Sequence, residues 1–131
     1  MSTKSVTLGA LAALLAHGAA QAAPAPRVTA SYPVPGASGV APGEQTLTFT
    51  FSEPMATDRM SVTKGDAGAF PEIIGTPQFS NDGRIFSVRV RLKPATKYVL
   101  GVNGPYHKNF TSKAGTPATP FLLRFTTRPV R

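Results

Sequence analysis

Two groups of side chains have the types and spacing to do chemistry. Arg89, Arg91 and Lys93 recur at every second position, and Arg84 lies just upstream. Alternate residues of an extended chain share a face, so these cations form a stripe suited to phosphate or carboxylate ligands. If neighbouring strands bring Lys97 or Arg124 alongside, the stripe widens into a cationic patch. The plainer reading is a polar outward face that guards the sheet against edge pairing. The second group is Tyr106-His107-Lys108, an aromatic ring, an imidazole and an ammonium in succession. Such a set suits recognition more than bond-making.

Reactive constellations are hard to assemble from the rest. His107 is the one histidine outside the N-terminal leader described below, and no nucleophile motif adjoins it. Of the 6 acids, Glu53, Asp58, Asp66 and Asp82 sit beside turn residues, where short acids bond the local backbone. No glycine loop opens a helix to cradle phosphate. Cys 0 removes thiol catalysis, thiolate metal sites and disulfides. The chain is therefore expected to be no enzyme and to carry no cofactor and no metal.

The charge of +8, from 14 Lys+Arg against 6 Asp+Glu, favours anionic partners. Nucleic acid is not expected among them, because stacking on bases needs exposed aromatics. The chain has no Trp, and its Phe residues fall mostly on inward positions. An anionic polysaccharide or another envelope protein fits better.

These side chains are positioned by strands. Gln45 to Met55, QTLTFTFSEPM, holds the clearest pattern: Leu47, Phe49 and Phe51 alternate with Thr46, Thr48 and Thr50. That is a half-buried strand, stopped near Pro54, which cannot donate to a ladder. Phe86, Val88, Val90 and Leu92 repeat the pattern, following Asn81-Asp82-Gly83, where Asp-Gly supplies the positive φ of a tight hairpin. Val28–Tyr32 suits a first edge strand with Val28, Ala30 and Tyr32 on one face. Pro33–Gly43 is expected to be a connection. Weaker strands follow around Met60 and Val62 and over Phe70–Phe79, then at Tyr98–Val102 and Phe121–Thr127. Asn103–Pro120 is a loop long enough to be functional, with Phe110 as its expected anchor.

Residues 1–22 read as a secretory signal peptide: Lys4, an apolar run from Val6 to Ala16, and Ala20-Gln21-Ala22 as the cleavage site. The apolar run is too short for a permanent membrane span. The expectation is export to the periplasm or the exterior, no transmembrane anchor after cleavage, and a monomer. Residues 23–131 then form one domain. About seven short strands between regular turns point to an all-β, Ig-like antiparallel β-sandwich. Tyr98, just after Pro94 and at the start of a late strand, matches a structural tyrosine corner, whose hydroxyl bonds the backbone upstream.

Tyr32-Pro33 with Gly36-Ala37 and Gly39-Val40, then Phe51-Ser52-Glu53-Pro54-Met55, Asp82-Gly83-Arg84, Leu92-Lys93-Pro94 with Thr96 and Tyr98, and Gly115 with Phe125-Thr126-Thr127 occur in that order. In this the chain resembles bacterial Ig-like domains of the SbsA surface-layer type. The resemblance implies a sandwich in the envelope or outside the cell, serving as spacer, stalk or adhesive module. The opening is also similar to periplasmic copper carriers of the copper-resistance type. That resemblance implies copper bound by an N-terminal histidine, an Asp-Gly-His segment and methionine-rich stretches. Here the expected mature chain starts at Ala23, lacks Asp-Gly-His, and offers only Met55 and Met60 as soft donors. The sequence therefore reads as an exported non-catalytic module, with a copper carrier or a binder of anionic envelope polymers as alternatives.

Overall fold

A computed structural model describes residues 24–65 and 67–130. The expected signal peptide at 1–22 lies outside the described residues, as does Asp66. Eight strands follow in chain order: β1 (Val28–Tyr32), β2 (Ala37–Val40), β3 (Gly43–Phe51), β4 (Val62–Lys64), β5 (Glu72–Phe79), β6 (Ile85–Leu92), β7 (Lys97–Val102) and β8 (Phe121–Thr127). They form two sheets of four, ordered β1-β3-β6-β5 and β2-β8-β7-β4. This is the Ig-like sandwich, with the added strand β2 beside β8.

The alternating strands build the core. Leu47, Phe49 and Phe51 of β3 lie beside Val88 and Phe86 of β6, in the register Leu47↔Val88 and Phe49↔Phe86. All five are at most 2% exposed. The facing sheet contributes Tyr98, Leu100, Val102, Leu123 and Phe125. Each fully buried large side chain stabilises the fold by about 1.5–3 kcal/mol. Phe86 sits at the centre of a ring cluster, 5.0 Å from Phe79 and 4.9 Å from Phe110 between centroids. The hairpin forms where Asp-Gly predicts it: Gly83 has φ 74 and its N–H donates to the Ser80 carbonyl at 2.9 Å.

Two segments differ from the sequence reading. Pro33–Gly43 is more than a connection, because Ala37–Val40 pairs with β8 in parallel. Gly36 at φ 82 turns the chain and its N–H donates to the Arg124 carbonyl at 2.7 Å. Of this strand only Val40 is buried, so no apolar pattern announces it. In β1 the face shared by Val28, Ala30 and Tyr32 does not form. A bulge between Val28 and Ala30 shifts the register, leaving Val28 half-buried and Ala30 and Tyr32 exposed.

Candidate binding surface

The cationic stripe is the first of the expected sites, and two of its four cations are paired with acids. Arg89 and Arg91 do share the outer face of β6. Their strand neighbours are β3 and β5, which bring Glu44 and Glu72 opposite Arg91 in register, so that Glu44 lies diagonal to Arg89. Arg89 Nη2 lies 2.6 Å from Glu44 Oε1; Arg91 reaches Glu44 Oε2 at 3.4 Å and Glu72 Oε2 at 2.9 Å. Two guanidinium groups thus meet two carboxylates. Arg84 sits apart at the start of β6, with Nη1 donating to the Ser52 carbonyl at 3.2 Å. Lys93 lies beyond the other end of the strand. Lys97 and Arg124 cannot widen the stripe, because β7 and β8 belong to the other sheet.

Tyr98 explains why the chain changes sheets there. Its hydroxyl accepts the Lys93 N–H at 2.7 Å, and its ring stacks on Phe125 with centroids 5.5 Å apart. Thr127 completes the corner, donating from Oγ1 to the Lys93 carbonyl at 2.6 Å and accepting the Thr96 N–H at 3.0 Å. This is tyrosine-corner geometry, and its work is structural.

The loop between β7 and β8 is held from beneath. Asn103 is 2% exposed and adopts φ 61, a conformation asparagine tolerates better than most residues. Its Nδ2 donates to the carbonyls of Phe110 and Ala118, both at 3.0 Å, and its Oδ1 accepts the Phe110 N–H at 3.0 Å. Phe110 is fully buried against Phe51, Phe79 and Phe86. Ser61, ahead of β4, accepts the Asn109 N–H on its Oγ at 2.7 Å and the Asn103 N–H on its carbonyl at 2.9 Å. Gly104 N–H donates to the His107 carbonyl at 2.7 Å, closing a tight turn. The result is a braced loop with an exposed tip. Tyr106 is 90% exposed, and His107 and Lys108 are exposed beside it. The sequence reading missed Asn103 and Ser61. The available signal was Asn103-Gly104, a turn dipeptide at the end of an apolar strand.

Between this tip and the edge strands β4 and β5 runs an open groove of about 720 Å³. Met60, Val62, Ile73, Pro77, Tyr106 and His107 are among its walls, with Lys64 at the end of β4. Met60 shares the groove with His107, whereas Met55 is fully buried and packs in the core. Met55 is thus a packing residue, which takes a donor from the copper reading.

Among the described residues no three His, Asp or Glu side chains converge. Asp82 is occupied by the hairpin: Ser80 Oγ donates to it at 2.6 Å and the Arg84 N–H at 3.1 Å. The Ser80 bond, followed by the Arg84 N–H, holds its carboxyl below the usual value. Asp58 pairs with its neighbour Arg59 at 3.5 Å. No helix among the described residues is long and apolar enough to cross a membrane.

Residues 22–127 match the model of a protein family described as bacterial Ig-like domain. No curated protein matches the chain.

Proposed function

The chain belongs to the bacterial Ig-like domain family, and from that premise we propose that it is an exported, non-catalytic module of the cell envelope or the exterior that binds a partner through the β7–β8 loop tip and the groove beside it. The observation that carries this reading is the bracing of the loop. Three hydrogen bonds of buried Asn103 and the core side chain Phe110 hold its base, while Tyr106 stays 90% exposed. A rigid support under an exposed aromatic keeps the entropic cost of binding low. The signal-like segment 1–22 supports export, and the family match begins where that segment ends. A structural role of the surface-layer type, as spacer or stalk, is compatible with the same surface.

The rival reading, a cationic face for anionic envelope polymers, loses support from the pairing of Arg89 and Arg91 with Glu44 and Glu72. The test is expression of the tagged full chain in a bacterial host. Export predicts a processed chain outside the cytoplasm, with a mass that corresponds to an N-terminus at Ala23. Binding through the loop predicts retention on the envelope fraction that Tyr106→Ala lowers and Arg89→Ala does not. A chain that stays unprocessed in the cytoplasm contradicts export. Retention lost with Arg89→Ala and kept with Tyr106→Ala contradicts the choice of surface.

A further inference from the structure

The groove has an open sheet edge as one wall, and the register shows which backbone groups that edge offers. Opposed residues of an antiparallel pair alternate between hydrogen-bonded and non-hydrogen-bonded positions. The Asn103 N–H donates to the Ser61 carbonyl, which marks Ser61–Asn103 as a hydrogen-bonded pair. With Val62 opposite Val102, Thr63 opposite Gly101 and Lys64 opposite Leu100, the bonded pair of β4 is Thr63–Gly101. The N–H and C=O groups of Val62 and Lys64 therefore point away from β7, towards the open side. β4 is the last strand of its sheet, and no turn or loop hydrogen bond among the described residues uses those groups.

The opposite wall is built differently. β5 also ends its sheet, but its register breaks between Ile74 and Gln78, with Gly75 at φ 72 and Pro77 in the break. A bulge and a proline blunt an edge, so β5 offers side chains and β4 offers backbone. The side chains are apolar and accessible: Met60 is 39% and Ile73 37% exposed, and Pro77 and Tyr106 line the groove with them. Lys64 is the charged side chain among the described lining residues, and Lys108 follows His107 in the chain; Glu72, which precedes Ile73, is paired with Arg91.

From this we infer that β4 accepts an extended acidic peptide segment of a partner protein as an added strand. The inference rests on the loop-and-groove reading above and names its ligand class. Strand addition draws affinity from main-chain hydrogen bonds and specificity from alternate side chains. Met60, Val62 and Lys64 fall on one face of the extended segment. One set of alternate side chains of the added strand therefore rests on Met60 and Ile73 and also brings a carboxylate to Lys64, while the other set faces away from the groove. An acidic glycan could use the same cations, but the walls favour a peptide. They offer one aromatic ring and an apolar floor, and the edge offers paired backbone donors and acceptors that a sugar has no register to match.

The test is amide chemical-shift and hydrogen-exchange mapping of the isotope-labelled full chain with the hexapeptide Val-Ser-Glu-Ser-Val-Ser, which sets Val and Glu on one face of a strand. The expected result is shifts at positions 60–64 and 104–109, slowed exchange at the Val62 and Lys64 amides, and weakening with added salt. The same peptide N-methylated at alternate amides should bind at least about tenfold more weakly, having lost its strand hydrogen bonds. Val62→Pro removes an outward donor while leaving the ladder to β7 intact, and should weaken binding similarly. The peptide comparison decides alone if that variant does not fold. Equal binding of the N-methylated peptide, or shifts confined to the Lys93–Lys97 end, overturns strand addition. Oligogalacturonate perturbing the same amides while the peptide does not overturns the peptide and leaves the surface standing. A dimer with Val62 and Lys64 protected in the absence of peptide overturns it in favour of a second copy. No shift at these positions with either probe overturns both the ligand and the surface.

Discussion

Replacing Asn103 should unlatch the β7–β8 loop, and the size of the effect follows from the bonds that are lost. Asn103→Ala removes three hydrogen bonds. The Phe110 carbonyl keeps a partner, because it also accepts the Ala118 N–H at 2.8 Å. The Phe110 N–H and the Ala118 carbonyl keep none among the described bonds. Two stranded buried groups cost about 1–3 kcal/mol each. Alanine held at φ 61 adds about 1 kcal/mol of backbone cost. The sum is about 3 kcal/mol or more, enough to lower the melting temperature by more than about 10 °C in a domain of this size. Asn103→Gly keeps the backbone conformation open and should recover up to about 1 kcal/mol of that loss. Urea unfolding followed by circular dichroism gives the free energies, and amide exchange at Phe110 and Ala118 shows whether the loss is local. Both variants within about 0.5 kcal/mol of the parent, with Phe110 still protected, would mean that Asn103 does not hold the loop.

Tyr98→Phe keeps the ring on Phe125 but strands the Lys93 N–H; denaturant unfolding should show a loss of about 1–3 kcal/mol. Glu44→Gln frees Arg89 and Arg91 from a partner whose side chain is 51% exposed. Stability should change by less than about 1 kcal/mol, while elution from a sulfated-polymer column moves to higher salt. Asp82 titrates below its ordinary 3.8 in the folded state. Its stabilising contribution is complete above that ordinary value and disappears as the pH falls through the lower, folded one. Acid unfolding of Asp82→Asn should therefore lose part of the parent's decline in stability over that window, and identical acid profiles would show that the Ser80 and Arg84 bonds carry no stability.

The legible parts of this fold are those whose pattern is local. Leu47-Thr48-Phe49-Thr50-Phe51 and the Phe86–Leu92 alternation need only neighbouring residues to announce a half-buried strand, and Asp82-Gly83 needs only its own φ preference. Tyr98 was legible because its partner, Lys93, lies five residues upstream. β2 escaped because its evidence is the edge of β8, far along the chain, and only Val40 is buried. The pairing within the cationic stripe is illegible for the same reason. Arg89 and Arg91 are visible in a single strand, but Glu44 and Glu72, which neutralise them, arrive from two other strands. Asn103 is legible only as the first residue of a loop; its two carbonyl partners lie at Phe110 and Ala118. The groove was beyond reach of pattern, since its walls come from β4, β5 and the loop tip, brought together only by closure of the sandwich.

That the loop tip and groove face the partner is open to photo-crosslinking in the envelope of intact cells, with the reactive residue placed at position 106 or at position 46 on the outer face of β3. A discrete adduct is expected from position 106, diminished by Val62→Pro, and none from position 46. An adduct from position 46 with none from position 106 means that the partner meets the outer sheet face instead.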